Sequence, residues 1–191
     1  MDDPVYKILK ITAILMFAGF FGWMVLAGLQ EQVPGEKAYE AANRYFEDGQ
    51  YQQAIAHYEA ALQEDPQLLP AMRGKARSLM QMGQNHEALE IFDEVIYRQP
   101  GFAPSYANRG ILHDRMGHYR KAIADYEKSI ELDAEMVEGP NWLTRFLRLQ
   151  PEKPPSVAER AAYLRQELAK PESERLLRVP EEDEKQRSYK K

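Results

Sequence analysis

Metal binding or acid-base catalysis would most readily come from histidines placed beside carboxylates. This 191-residue chain has four histidines, at His57, His86, His113 and His118. No two of them form a helical pair with a carboxylate at the spacing of metal ligands. The chain has no cysteine, which also excludes thiolate ligands and disulfides. We therefore interpret the histidines as core or rim residues.

Motifs for phosphate transfer or nucleophilic catalysis are also absent from the sequence. It contains neither a glycine-rich phosphate loop nor the strained turn that presents a nucleophilic serine. The 30 Asp and Glu residues are distributed as solubilising charges on helix surfaces. We predict that the protein is not an enzyme, that it uses no metal or cofactor, and that it has no small-molecule substrate.

Three arginines offer a different chemistry, which is the binding of carboxylate groups. Arg73 and Arg77 are four residues apart, so on a helix they share one face. Arg115 belongs to the next structural unit along the chain. Because arginine forks match carboxylates, we predict that the three side chains converge on one acidic ligand.

A repeat of 34 residues determines where these arginines lie in the fold. Its four columns are Gly49, Gly83 and Gly117; Ala54, Ala88 and Ala122; Tyr58, Phe92 and Tyr126; and Pro66, Pro100 and Ala134. A small residue and an aromatic residue four positions apart share one helical face, so each unit is predicted to be a pair of antiparallel helices. About three units are needed to bury their apolar faces in a stable stack.

The residues at the ends of the helices agree with this interpretation. Ala42 and Ala54 are small, so the two backbones of the first unit can approach each other. Gly49 adopts positive φ at little cost where the first helix must end. Pro66 prevents the second helix from continuing into the next unit.

Residues 35–134 resemble three tetratricopeptide repeats, with units at about 35–68, 69–102 and 103–136. The small residue that this family carries on the first helix corresponds to Ala42, Ala76 and Gly110. The resemblance implies an all-α solenoid that binds polypeptides. In this family the first helices line the concave face, which here would display Tyr39, Asn43, Phe46, Arg73, Arg77, Met80, Asn108, Ile111 and Arg115. Aromatic, amide and arginine side chains in that groove predict an extended or helical peptide ligand with acidic groups, and the convex face is the alternative docking surface.

The resemblance does not imply one specialised class of ligand, which is the carboxyl end of chaperones. Family members that clamp the carboxyl end of chaperones carry a lysine, two asparagines, a lysine and an arginine at five positions of the first helices. The corresponding residues here are Tyr39, Asn43, Gly74, Pro104 and Asn108. Only Asn43 matches that pattern.

Near the amino terminus, residues 11–29 contain no charge and no proline. At about 1.5 Å per residue this segment can cross the hydrocarbon core of a bilayer. We predict an uncleaved membrane anchor. The alternative is a signal peptide with Lys7 and Lys10 as its basic region and a cleavage site at residues 25–27. Ala18 and Gly22 would allow another transmembrane helix to approach the anchor.

The distribution of positive charge predicts the orientation of the anchor. Lys7 and Lys10 precede the span, whereas residues 30–43 contain Lys37 and three glutamates. Residues 1–34 are then a cytoplasmic segment, the anchor and a short linker, and the repeats face the periplasm from a bacterial inner membrane. The net charge of −5 argues against a nucleic-acid partner.

The carboxyl-terminal part is predicted to cap the repeats. Residues 135–170 should form two capping helices, the first over residues 137–150 and the second opening with a capping box at Ser156 and Glu159. Residues 171–191 are predicted to be a charged, disordered tail.

Together these features predict a membrane-anchored, all-α adaptor or chaperone-like assembly factor that binds membrane-associated polypeptide partners. The alternative is a permanent structural subunit of an envelope complex for translocation, secretion, pilus formation or respiratory-complex assembly.

Overall fold

Helices make up the regular structure of this chain. A computed structural model describes residues 4–28, 33–138, 155–178 and 188–189, and no strand occurs within these ranges. The α-helices in them are α1 (Pro4–Gly28), α2 (Glu36–Glu47), α3 (Tyr51–Glu64), α4 (Leu69–Gln81), α5 (Asn85–Arg98), α6 (Ala103–Arg115), α7 (Tyr119–Leu132) and α8 (Val157–Ala169). Two 3₁₀ turns, Ala134–Val137 and Glu172–Glu174, follow α7 and α8. The predicted all-α class is confirmed.

Helices α2 to α7 form three successive pairs, and each helix packs against the next one along the chain. The three pairs are joined internally by the predicted glycines. Gly49 has a φ of 74°. Two hydrogen bonds, from Gly49 N to Phe46 O and from Gln50 N to Tyr45 O, end helix α2 at this turn. This arrangement needs a left-handed residue after the helix, which favours glycine. Gly83 and Gly117 repeat the geometry.

Small and aromatic residues of the repeat form the contacts between these helices. Tyr58, Phe92 and Tyr126 are fully buried, as are the alanines four positions before them. A Cβ atom added to Gly74 would lie 2.2 Å from the Tyr58 ring, so this glycine admits an aromatic ring that a larger residue would exclude. The repeat period therefore determines the core as well as the turns.

Helix α8 covers the third pair by packing on α7. It begins with the predicted capping box, in which the Ser156 hydroxyl accepts from Glu159 N and the Glu159 carboxylate accepts from Ser156 N. Val157, Ala161 and Leu164 bury its apolar face. Of the other predicted capping helix, at residues 137–150, the structure describes residues 137 and 138, and the rest lies outside the described residues.

Helix α1 starts earlier than the predicted span, at Pro4 rather than at Ile11. The segment Pro4–Met24 is long and apolar enough to cross a membrane, and its side chains are all exposed. A signal sequence would meet the same criteria of length and composition.

Candidate polypeptide-binding face

The nine predicted groove residues lie on the first helices of the three pairs, which are α2, α4 and α6. They differ in exposure. Arg77, Met80, Asn108 and Ile111 are each no more than 4% exposed, and the other five are half-buried. Met80 and Ile111 belong to the hydrophobic core, so their apolar side chains hold α4 and α6 in place.

The three arginines each have a different contact. The Arg73 guanidinium lies 4.1 Å above the Phe102 ring and donates to Gln99 Oε1 at 2.8 Å. Arg77 lies 4.6 Å above the Phe46 ring. Arg115 donates to the Met80 carbonyl at 3.2 Å. Each arginine therefore contacts a residue outside its own helix. Their convergence on one acidic ligand stays a prediction.

A cleft of about 440 Å³ opens at one end of the face, where α4 and α6 begin. Arg73 lines it, and burial lowers the pKa of this arginine. The other lining residues are Tyr39, Pro70, Gly101, Phe102, Ala103, Pro104, Leu132 and Asp133. Aromatic rings, prolines and a half-buried guanidinium suit a ligand with both apolar and anionic groups.

Asn43 is used within the fold. Its Oδ1 accepts a hydrogen bond of 2.9 Å from the Tyr58 hydroxyl. Burial raises the pKa of Tyr58 to about 12, although the positive charge of Arg77 opposes the shift. The phenol is therefore neutral at physiological pH and remains a donor, which fixes the amide of Asn43.

Asn108 contacts a backbone segment from far along the chain. Its Nδ2 donates to the carbonyl of Tyr189 at 2.7 Å, and its Oδ1 accepts from Tyr189 N, also at 2.7 Å. Both amide atoms of one side chain therefore bond to the backbone of one residue. The sequence predicts a disordered tail at residues 171–191, whereas Tyr189 and Leu177 pack against the core.

Comparison with known proteins agrees with this geometry. Two tetratricopeptide repeat family models match the chain, one over residues 45–108 and the other over residues 103–135. Residues 45–135 are tetratricopeptide repeats. The first predicted unit begins before this range, but its helix pair, α2 and α3, has the same turn geometry as the others.

Curated relatives carry the same repeats within longer proteins. Tetratricopeptide repeat protein 6 of Homo sapiens is 33% identical over 85 residues, which is 44% of this chain and 16% of that protein. Stress-induced-phosphoprotein 1 of Caenorhabditis elegans is 28% identical over 138 residues, or 72% of this chain and 41% of that protein. Hsp70-Hsp90 organizing protein 3 of Arabidopsis thaliana is 26% identical over 54% of this chain and 18% of its own length. The chain thus spans less than half the length of these relatives.

Solved structures share the fold. The first tetratricopeptide repeat domain of Spaghetti (RPAP3), bound to the HSP90 peptide SRMEEVD, has a TM-score of 0.58 and 19% identity, covering 72% of this chain and 94% of that one. The Sgt2 domain from Aspergillus fumigatus has a TM-score of 0.55 and 20% identity, and the match covers 73% of this chain and 87% of that chain. At this level of identity the likeness concerns the fold.

The third tetratricopeptide repeat holds a buried ion pair that the sequence interpretation missed. Arg160 of α8 donates from Nε and Nη2 to the two carboxylate oxygens of Asp114, at 2.7 and 3.0 Å. Asp114 also accepts from the Tyr126 hydroxyl, and Arg160 donates to the Leu177 carbonyl. The sequence does contain a signal for this site. Asp114 is a charged residue at a repeat position that the apolar residues Phe46 and Met80 occupy in the other two units.

A second charged cluster joins the second and third repeats. Arg109 donates to both oxygens of Asp125 at 2.7 and 2.8 Å and to Asp93 at 2.7 Å. Burial alone would lower the pKa of Arg109, but these two carboxylates raise it well above its ordinary value. His113 Nε2 lies 3.9 Å from Asp125. Within the described ranges, no group of three or more histidine, aspartate or glutamate side chains could hold a metal ion.

The buried His113 should make the stability of the domain depend on pH. Burial lowers its pKa, an effect that the charge of Asp125 opposes and those of Arg109, Lys121 and His118 reinforce. In the unfolded chain its pKa is about 6.5, so below that pH the unfolded state binds the proton more readily. The contribution of His113 to the free energy of unfolding should therefore be fully present above about pH 6.5. It should be lost as the solution is acidified below that pH.

The variant His113→Leu tests this effect, because Leu79 fills the same column in the second repeat. Denaturant unfolding between pH 7.5 and 5.5 should show a smaller loss of free energy of unfolding for the variant than for the wild type. Equal losses would mean that other groups determine the acid sensitivity.

Proposed function

We propose that this chain is an adaptor that binds partner polypeptides on the concave face formed by α2, α4 and α6. The observation that carries the proposal is the contact of Asn108, whose amide bonds to both backbone groups of Tyr189. Such a contact recognises an extended polypeptide without regard to its side chains. It is supported by relatives described as Hsp70-Hsp90 organizing proteins and by the RPAP3 domain bound to an HSP90 peptide.

The ligand chemistry should differ from that of a chaperone carboxyl terminus. Of the five clamp positions, Asn43 alone matches, and its Oδ1 already accepts from Tyr58. Gly74 provides no polar side chain, and Pro104 offers no ammonium group. We infer that the face binds internal extended segments, with the cleft beside Arg73 accepting apolar and acidic side chains.

A test compares partner recovery for two arginine variants of the full-length protein, purified from membranes in mild detergent. Arg73→Ala removes the guanidinium that lines the cleft, and should weaken partner binding by about 1.5–3 kcal/mol, the range for a hydrogen bond to a charged group. The matched control is Arg98→Ala, because Arg98 lies on the second helix α5 and is paired there with Glu94.

Added salt should further weaken binding to the wild type, since the contact is charged and partly exposed. Equal partner recovery with Arg73→Ala and with Arg98→Ala would exclude the cleft from the binding site.

We further propose that α1 is a membrane anchor that holds the repeats at the periplasmic side of an inner membrane. The exposure of its apolar side chains supports this proposal, because such a helix is stable when lipid covers it. Lys7 and Lys10, near the amino-terminal end of α1, favour a cytoplasmic amino terminus.

Topology can be measured with reporter fusions after Lys191. We expect alkaline phosphatase, which is active only outside the cytoplasm, to be active in this position. A reporter that is active only in the cytoplasm should be silent. The reverse pattern would place the repeats and their partners in the cytoplasm.

A structural subunit of a membrane complex is the second candidate. Gly22 supports it, because a Cβ placed there would have no described atom within 4 Å apart from its chain neighbours and the nearby backbone of α1, so a second helix could approach closely. Replacing Ala18 and Gly22 with leucine should then abolish partner recovery while Arg73→Ala leaves it intact. The adaptor proposal predicts the opposite result.

A further inference from the structure

The carboxyl-terminal tail contacts the concave face as an extended ligand would. Asn108 is 2% exposed and lies on α6, the first helix of the third repeat. Its two hydrogen bonds, each 2.7 Å long, occupy the backbone N–H and the carbonyl of Tyr189. The equivalent positions in the first two repeats are Glu40 and Gly74, so the third repeat alone has an amide there.

The side chain of Tyr189 adds selectivity to this backbone contact. Its ring packs against the main hydrophobic core, to which both α6 and α8 contribute. Burial raises the pKa of its phenol, and a hydrogen bond with the backbone of Val157, at the start of α8, opposes that shift. An aromatic side chain with a polar tip therefore fits between the two helices.

Helix α8 binds another part of the tail in the same manner. Tyr163 donates its hydroxyl hydrogen to the Leu176 carbonyl, and Glu167 accepts from Leu176 N at 2.8 Å. Arg178 in turn donates to the carbonyl of Arg115 on α6 at 2.8 Å. The two contacts of Leu176 use its backbone groups, whereas Leu177, Arg178 and Tyr189 contribute side chains.

We propose that the third repeat holds a recognition site for an extended segment bearing a tyrosine, and that residues 188–189 occupy it as an internal ligand which a partner must displace. The inference rests on the proposed function, because it names the segment that the concave face accepts. A tethered ligand has a high effective concentration, so the tail would restrict binding to partners that match or exceed its affinity.

A fluorescent peptide with the sequence of residues 183–191 tests the proposal by anisotropy. It is titrated into the full chain and into a chain that ends at Arg187, both in detergent micelles. The shortened chain should bind the peptide at least about tenfold more tightly, because its site is vacant. A peptide carrying Tyr189→Ala should bind the shortened chain at least about tenfold more weakly.

A variant of the protein tests the role of the amide. Asn108→Asp keeps an acceptor for Tyr189 N but removes the donor to its carbonyl, so peptide affinity should fall about tenfold in the shortened chain. The peptide variants use an unaltered site, so they remain informative if this substitution disturbs folding.

Two results would overturn the inference. Equal affinity of the peptide for the full and shortened chains would show that the tail does not occupy its binding site. A dimer in sedimentation velocity that is lost on shortening the chain would assign the tail to the site of a second copy. If either result occurs while partner recovery still depends on Arg73, the inference fails but the adaptor function stands.

Discussion

Replacing Arg160 with methionine should lower the free energy of unfolding by about 3–5 kcal/mol, because it leaves a buried carboxylate without its partner. Asp114 is 5% exposed and receives two hydrogen bonds from Arg160. Methionine retains much of the apolar volume of arginine, so lost packing contributes little. Thermal and denaturant unfolding of the full chain would measure the loss.

Two controls isolate the buried pair. Arg165 lies on the same helix and pairs with Glu127 at the surface, so Arg165→Met should cost less than about 1 kcal/mol. The double variant Asp114→Leu with Arg160→Met removes both charges and should recover most of the loss. If Arg160→Met and Arg165→Met have equal effects, the ion pair does not hold α8 to the third repeat.

Ala88→Glu should unfold the repeats. Ala88 is fully buried in the small-residue column of the second repeat, and the substitution places an unpaired charge where two helices meet. The expected loss is at least several kcal/mol in a domain whose total stability is about 5–15 kcal/mol. Melting monitored by circular dichroism would show the loss as a large fall in the transition temperature.

Glu87→Ala is the matched control, one residue away on the exposed side of α5. Glu87 lies 3.7 Å from Lys75 at the surface, and losing this contact should cost less than about 0.5 kcal/mol. Similar melting temperatures for Ala88→Glu and Glu87→Ala would show that the register of the repeat is misassigned.

The repeat period predicted the parts of the fold that depend on local backbone geometry and helix faces. Gly49, Gly83 and Gly117 mark turns with positive φ, and the alanine and aromatic columns are buried. The capping box at Ser156 also follows from local sequence. Each of these features involves residues close in the chain or related by the 34-residue period.

Contacts between distant residues could not be predicted in this way. The pair of Asp114 with Arg160 joins residues 46 positions apart, and Asn108 bonds to a residue 81 positions away. Charge composition predicts a solvated tail, but composition carries no information on whether a single tyrosine in it packs against the core, as the half-buried Tyr189 does. The family pattern predicts that Met80 and Ile111 lie on groove helices, but it does not specify how deeply each side chain is buried.

The most direct test of the adaptor function is site-specific photocrosslinking of the full chain in cells that express it. A photoreactive phenylalanine analogue replaces Tyr39, which lines the cleft on the concave face, or Tyr97, which is 84% exposed on the second helix α5. We predict discrete crosslinked partners from position 39 and few or none from position 97. Adducts formed only from position 97 would place partner binding outside the concave face and contradict the proposed function.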